Sequence, residues 1–490
     1  MKKPTVIGID FGTSGCRAVA LDLAGKPVGE ARFALPAPVR RGREIEQSPL
    51  LWAEALERLL DVLFSRISAT AVRAIALDGT SGTVLLADAE GTPLTPALMY
   101  NDNRAVGEAA RIATLAPRHS AAHGTGSGLA KLLWLLAHHA LPPGARLHSQ
   151  ADWLGARLSG RFGLSDANNM LKLGYDPVAG CWPAWMEQLG LPEGLLPRVL
   201  RPGTPLGPLR PELAARWGLP QETLVCAGTT DSTAAFIASG AGEPGEAVTS
   251  LGSTLVLKVI SDTPVFAPEF GVYSQPIARI SPRPPTAAAD PLVVTRRTPS
   301  CRLDVASTTP APSSGPCAPS QRRLDALVTN SGEISGLGNL WLVGGASNSG
   351  GAVLRHFFSD AEMARLSAAL QPERPSGLDY YPLLCPGERF PRNDPVLPPR
   401  LEPRPADDAR FFQGLLEGIA RIEKEGYERL AELGAPYPIS VRSNAGGASN
   451  AAWTRIRGAL LGVPMLSARE EQACYGSALL ALRCIQAAAE

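Results

Sequence analysis

The sequence is poor in the residues that several common functions require. Its 490 residues include six histidines and eight cysteines. The cysteines stand apart at 16, 181, 226, 301, 317, 385, 474 and 484, with no Cys-x-x-Cys pair, so neither a zinc site nor a disulfide framework is suggested. No sign of charge dominates: 47 basic residues against 46 acidic ones give no support for binding to nucleic acid or an anionic membrane. No unbroken apolar run is long enough to span a bilayer, and Met1-Lys2-Lys3-Pro4 leads straight into an apolar stretch, with no room for a signal peptide. The pattern Gly-x-x-x-x-Gly-Lys-[Ser/Thr] is missing, which excludes a P-loop enzyme. These absences, with 45% hydrophobic and 19% charged residues, leave a globular, reduced, cytoplasmic enzyme as the expectation. At this length a single core is unexpected, so two domains are the starting point.

What is present begins with Val6-Ile7-Gly8-Ile9-Asp10-Phe11-Gly12-Thr13-Ser14-Gly15-Cys16-Arg17. Two apolar runs flank a polar turn. Gly12 and Gly15 permit unusual backbone angles, and N–H groups around Thr13 and Ser14 can point at an anion. A carboxylate at Asp10, beside such a turn, suits a divalent cation held between it and a phosphate. The other reading of this stretch alone is an ordinary hairpin with a Gly turn. Residues 71–77 repeat the grammar, a short apolar strand ending in Asp78-Gly79-Thr80-Ser81-Gly82-Thr83. Asn101-Asp102-Asn103-Arg104 follows apolar residues and reads either as a polyol-binding cluster or as a solvated helix start capped by Asp102. Gly124-Thr125-Gly126-Ser127-Gly128 lacks Gly-x-Gly-x-x-Gly spacing and reads as a loop and helix cap.

A strand at 224–227 then ends in Gly228-Thr229-Thr230-Asp231 before an Ala-rich helix. A helix N-terminus favours anions, and Asp231 stands there either as a simple cap or as a working carboxylate. The turn-rich 240–245 joint marks a domain boundary, giving domains 1–243 and 244–490. Beyond it the opening pattern recurs as Thr249-Ser250-Leu251-Gly252-Ser253-Thr254-Leu255. Two strand–Gly-Gly-Ala-Ser-Asn–helix units follow, at 344–348 and 446–450. Gly-Gly lets a flat ligand approach the backbone, and Asn can bond an amide-like edge; chance in a Gly- and Ala-rich chain is the other explanation. A long amphipathic helix is expected from Phe411, with Glu417, Glu423 and Glu425 on its solvated face. Small residues in the last helix suggest close packing.

Taken together, these residues resemble the FGGY carbohydrate kinases of the actin/Hsp70-like ATPase superfamily. The segment from Asp10 to Arg17 is similar to the superfamily's first phosphate motif. Gly228 to Ala235 resembles the family's Gly-x-x-Asp-x-x-Ala-Ala segment, Gly252-Ser253-Thr254 its second phosphate turn, and Asn444 to Asn450 its adenosine motif. Residues 78–83 and 100–102 look most like the ketopentose kinases, especially the D-ribulose branch. The resemblance implies an α/β fold of two ribonuclease-H-like domains with an interdomain cleft. It implies ATP and Mg2+ as cofactors and a small-molecule sugar as substrate, in a monomer or homodimer. Asp231 becomes the general base and Asp10 the Mg2+ anchor, with Asp231 also near the metal. Thr13, Ser14, Gly252, Ser253 and Thr254 would hold phosphates. Gly345, Gly446, Gly447 and Asn450 would line the adenosine site. Ser81, Asp102, Asp10 and Asp231 would meet the sugar. D-ribulose is the first substrate expected, D-xylulose the alternative, and a non-catalytic ATPase or sugar-binding protein the runner-up class.

One departure from the family pattern stands out. Residues 275–339 are rich in Pro, Ser, Thr and Ala, draw positive charge from Arg alone and show little periodicity. They read as a disordered or aberrant insertion within the second domain.

Overall fold

The computed structural model describes residues 3–277 and 340–487. The bulk of the stretch read as an insertion therefore lies outside the described residues. Residues 275–277 are an exception, because they end the strand Tyr273–Ile277, which pairs antiparallel with Leu340–Ser347.

The first apolar runs form a hairpin, Thr5–Phe11 with Gly15–Asp22. Both faces of Thr5–Phe11 are covered, which explains why it reads as a continuous apolar run rather than an alternating one. The six-stranded sheet around it runs, in space, Pro205–Pro208, Leu224–Thr230, Val72–Gly79, Thr5–Phe11, Gly15–Asp22, Pro27–Ala34. Thr5–Phe11, Val72–Gly79 and Leu224–Thr230 are parallel, so their C-terminal ends point the same way. On one face Ile7, Ile9 and Phe11 share a core with Trp52 and Trp153, from helices Pro49–Phe64 and Gln150–Ser159. The opposite face is covered by Ala473–Ala487, the helix near the end of the chain. Its small residues also permit close contact with the helix Asp231–Ala238: a Cβ on Gly476 would fall 1.9 Å from the Ala234 carbonyl oxygen.

A second six-stranded sheet runs Tyr273–Ile277, Leu340–Ser347, Leu255–Ser261, Glu246–Leu251, Ser440–Asn444, Met465–Ser467. Its core is completed by helices Asp408–Glu432 and Ala451–Leu461. The long helix corrects one expectation. Glu417 and Glu423 are buried, not solvated: Ser376 donates to Glu417 from its N–H (2.9 Å) and hydroxyl (2.6 Å), and Arg457 grips Glu423 with two bonds of 2.6 Å. Periodicity located the apolar face of this helix but could not show that neighbouring elements supply polar partners on another face. Glu425 does reach the surface, where it pairs with Arg392.

A smaller antiparallel sheet contains Val39–Arg41, Glu44–Gln47, Ala97–Leu98, Val84–Ala87 and Arg146–Ser149. It holds the loops around Ser81 and Asp102 beside the first large sheet. Among the described residues, no helix is long and apolar enough to cross a membrane.

Candidate active site

Parallel pairing brings the polar turns together. Asp10 lies opposite Asp78 in register, and Asp78 lies opposite Thr229. The register slips between Cys226 and Thr229, where a Cβ on Gly228 would lie 1.7 Å from the Leu77 carbonyl oxygen. That glycine allows the close approach and the bulge, which re-aims the end of the strand before the helix Asp231–Ala238 begins. Thr230 takes the N-cap position, leaving Asp231 as the first helical residue, its Oδ1 accepting from the Ser232 N–H (2.6 Å). Three carboxylates thus stand at the ends of three adjacent strands.

Burial moves all three carboxyls towards the protonated form. Asp78 is fully buried; its Oδ2 accepts from the Ser477 hydroxyl (2.6 Å), and its Oδ1 has no protein donor. Burial, then the charge of Asp10, pushes Asp78 well above the usual carboxylate range. Burial also raises Asp10, held back by a hydrogen bond with Asp78 and by Arg17. Asp231 is raised by burial, against the pull of its Ser232 bond. Among the described residues no cluster of three or more His, Cys, Asp or Glu groups is arranged to hold a metal ion, so a cation here would rest on fewer protein ligands. Mg2+ takes one or two carboxylates and completes its shell with water and phosphate oxygens, and Asp10 and Asp231 can supply that pair.

The Ser81 turn is braced from below. Thr80 and Thr83 hydroxyls bond each other (2.6 Å), and Gln150 accepts from the Thr80 N–H (3.1 Å). Lys131, wholly buried, donates to the carbonyls of Gly82 (2.8 Å) and Tyr100 (3.1 Å) and so ties this turn to the 100–103 loop. The two residues expected to meet sugar differ in access. Ser81 is partly exposed. Asp102 is completely buried and engaged by the Ile45 N–H (2.6 Å) and the Arg104 side chain (2.8 Å). Its carboxylate shapes the loop from within. Gly124–Gly128 proves to be a capping loop as read, with Ser127 accepting from the Ala130 N–H (3.1 Å).

In the first turn, the Gly12 N–H closes on the Gly15 carbonyl (3.0 Å), leaving Thr13 half-buried and Ser14 exposed. The second turn, Gly252-Ser253-Thr254, leaves both hydroxyl residues exposed and accepts N–H groups from Gly351 (2.8 Å) and Ala352 (3.1 Å). A cavity of about 630 Å³ adjoins the second sheet, lined by Ser443, Gly446, Ala448, Ser449, Thr454, residues 465–468 and Glu471, among others. Its volume is within the range of small-molecule sites. Of the four residues expected around adenosine, Gly446 lines this cavity. Gly447 packs under Trp453 and Leu251, Gly345 lies against the Phe390 ring, and Asn450 caps the Ala451–Leu461 helix by accepting from the Trp453 N–H (2.9 Å).

Family models for the N-terminal and C-terminal domains of the FGGY carbohydrate kinases match residues 5–238 and 305–484. The chain belongs to this family. Its curated relatives include a xylulose kinase of Escherichia coli K12, 29% identical over 55% of this chain and 57% of the relative. Another is a xylulose kinase of Streptomyces coelicolor, 33% identical over 51% and 53%. An L-fuculokinase of Salmonella typhi is 28% identical over 53% and 57%. The matched region spans little more than half the length of these relatives. Among solved structures, a xylulose kinase from Brucella ovis superposes with a TM-score of 0.77 at 24% identity, covering 99% of this chain and 91% of its own. A xylulose kinase from Lactobacillus acidophilus gives 0.75 at 16% identity, covering 99% and 90%. These likenesses give the fold: the two-domain actin/Hsp70-like arrangement of FGGY kinases.

Sequence reasoning passed over three polar residues of this site. Asp78 had a usable signal, the same strand–carboxylate–Gly turn order as Asp10. Lys172 and Lys258 had none, since each is a single charge: Lys172 in a segment with no motif, and Lys258 at the end of the recurring strand–turn–strand pattern, outside its turn.

Proposed function

We propose that the protein transfers the γ-phosphoryl group of ATP to a terminal hydroxyl of a ketopentose. The observation that carries this reading is the meeting of Asp10, Asp78 and Asp231 at three strand ends, beside the Ser81 turn, in a chain of the FGGY family. In phosphoryl transfer the protein chiefly positions reactants and stabilises charge. Asp231 takes the proton of the acceptor hydroxyl; its raised pKa makes it a stronger base than an ordinary carboxylate. Asp10, with Asp78 pinned behind it, anchors Mg2+ beside Asp231. Mg2+, when bound, offsets charge on the phosphate oxygens. Thr13 and Ser14 face the transferring group, Gly252, Ser253 and Thr254 the remaining phosphates, and the Gly446 cavity takes adenosine. Gly447, Asn450 and Gly345 shape the surroundings of that cavity. Ser81 meets the sugar directly, and Asp102 holds the loop that surrounds it. Closure of the cleft between domains 1–243 and 244–490 would exclude water.

D-ribulose is the first acceptor proposed, on the resemblance of residues 78–83 and 100–102. D-xylulose is the second reading, supported by relatives that are named xylulose kinases. A panel of D-ribulose, D-xylulose, L-ribulose, glycerol and gluconate with ATP and Mg2+ decides between them. Release of ADP that depends on one pentulose is expected; folded protein that releases no ADP with any of the five would favour a non-catalytic ATPase instead. In the same assay Asp231→Ala is expected to lower kcat about 10³-fold while ATP still binds, and near-full turnover in that variant would remove Asp231 as the base.

A further inference from the structure

Lys172 and Lys258 stand around Asp231 without a role in the mechanism above. Lys258 belongs to the Leu255–Ser261 strand of the second sheet, and its Nζ donates to the Ser232 carbonyl (2.9 Å) in the first turn of the Asp231–Ala238 helix. Lys172 comes from the Leu171–Leu173 turn on the first-sheet side. Desolvation lowers the pKa of both lysines, Lys258 to about 8; the charge of Asp231 acts against this in each, and Lys172 lowers Lys258 further. Each stem runs beside a glycine. A Cβ on Gly344 would lie 2.9 Å from Lys258 Cγ, and one on Gly82 would lie 3.5 Å from Lys172 Cδ. Gly344 is the first residue of the earlier Gly-Gly-Ala-Ser-Asn copy, and its bare backbone lies against the Leu257 carbonyl oxygen, 2.5 Å from where a Cβ would fall, as well as beside the Lys258 stem.

The charge balance shows what such lysines could do. Asp10, Asp78 and Asp231 by themselves would repel an incoming phosphoryl group. Among the described residues, neither lysine forms a close ion pair with a carboxylate, and Asp231 is near both without being gripped by either. Cations placed so are available to an anion that arrives later. We propose that Lys172 and Lys258 form a clamp that receives the transferring phosphoryl group at Asp231. This rests on the kinase reading. As the acceptor oxygen bonds to phosphorus, its proton passes to Asp231; the bond from phosphorus to the β–γ bridging oxygen breaks, and that oxygen leaves with ADP. The lysines hold the equatorial oxygens throughout. Because Lys258 reaches over from the second sheet, the clamp also joins the nucleotide side of the molecule to the helix that carries the base.

The test compares Lys258→Met, Lys172→Met and the corresponding Arg variants with wild-type protein, using ATP, Mg2+ and the best acceptor from the panel. Each Met variant is expected to lower kcat roughly 10- to 100-fold, with the KM for ATP changed less than about threefold and inhibition by the sugar phosphate product weakened. The Arg variants should recover part of the rate. Melting temperatures are recorded alongside. Wild-type kcat in both Met variants overturns the clamp and leaves the kinase reading intact. So does a loss of rate that tracks loss of folded protein and is not recovered by Arg. Wild-type protein with no acceptor-dependent ADP release overturns the kinase reading and the clamp with it.

Discussion

Five strands of the first sheet can be laid on five of the second in the same order and with the same sense of pairing. Thr5–Phe11 corresponds to Glu246–Leu251, Gly15–Asp22 to Leu255–Ser261, and Val72–Gly79 to Ser440–Asn444. Register then matches residues. Asp10 opposite Asp78 in the first sheet becomes Ser250 opposite Asn444 in the second. Each sheet leaves one buried oxygen at this register without a protein donor, Asp78 Oδ1 in one and Asn444 Oδ1 in the other. The same backbone plan therefore presents two carboxyl groups at one end and a neutral hydroxyl and amide at the other. Carboxyls crowded together raise each other's pKa and suit proton and cation chemistry. Neutral groups cost less to desolvate and suit a ligand bound by shape, which agrees with the cavity beside the second sheet. Fold similarity carries the geometry, while side-chain charge decides what each end can do.

Two exchanges between the sheets break this comparison. The larger effect is expected from Gly8→Val, which gives the first sheet the residue its counterpart has at Val248. In the second sheet Val248 packs in an apolar cluster. In the first, a Cβ at position 8 would fall 2.0 Å from the Cys474 carbonyl oxygen and 2.1 Å from the Ala478 nitrogen. The neighbour is helix backbone and cannot rotate aside, so Ala473–Ala487 loses its seat. A cost above about 4 kcal/mol is expected, read as a large drop in melting temperature; an unchanged melting curve would refute the packing assigned to this helix. The second exchange is Asp10→Ser with Asp78→Asn, which copies the neutral end onto the first sheet. Turnover should fall about 10²- to 10³-fold while ATP binding, measured by calorimetry, stays. Loss of ATP binding in step with turnover would mean that these carboxyls hold the nucleotide site, not the transfer step.

How much of this could be read from the sequence follows from how local each signal is. Hairpins, Gly turns and the strand before Asp231 are written in contiguous residues. So is Ser127 as a cap. Pairing partners are not contiguous, which is why Asp78 was seen as a turn and not as the neighbour of Asp10. The two Gly-Gly-Ala-Ser-Asn copies show the limit most directly. The first copy lies largely in a strand, within Leu340–Ser347, and the second forms a short 3-10 turn, Gly446–Ser449. Identical residues took different conformations because the first copy is paired with Leu255–Ser261 and covered by Phe390, whereas the second has left its strand. At Asp102 the limit is of the opposite kind: its polar neighbours read either as an open cluster or as a capped helix start, and neither reading showed that Arg104, two residues away, folds back onto its carboxylate. Lys258 could not be connected to the Asp231–Ala238 helix at all, because its bond to the Ser232 carbonyl comes from a strand of the other sheet.

Buried carboxylates sharpen the contrast further, with a smaller expected effect. In the second half Glu423 is buried beside Arg457 and Thr249, so its charge has a cation. In the first half Asp152 and Asp166 are buried with hydroxyl, amide and N–H donors: Ser149 and Ser165 serve Asp152, while Asn168 and Asn169 serve Asp166. Burial pushes Asp152 up to about 6, and burial with the charge of Asp152 pushes Asp166 up to about 8. An unfolded Asp titrates near 3.9. Between these values the folded protein keeps protons that the unfolded chain has released, so ΔG of unfolding falls as pH rises. The stabilisation is complete below about pH 4 and is lost as pH climbs through about 6 and then about 8. Asp166→Asn keeps an acceptor for the Asn168 and Asn169 N–H groups and removes the charge. It should leave the melting temperature near that of wild type at about pH 4 and raise it by about 2–4 °C at pH 8.5, flattening the pH dependence. Parallel changes of melting temperature with pH for variant and wild type from about pH 4 to 8.5 would show that Asp166 does not hold the proton, leaving Asp152 as the one carboxyl of this pair to set the first half apart from the half where Arg457 supplies the charge.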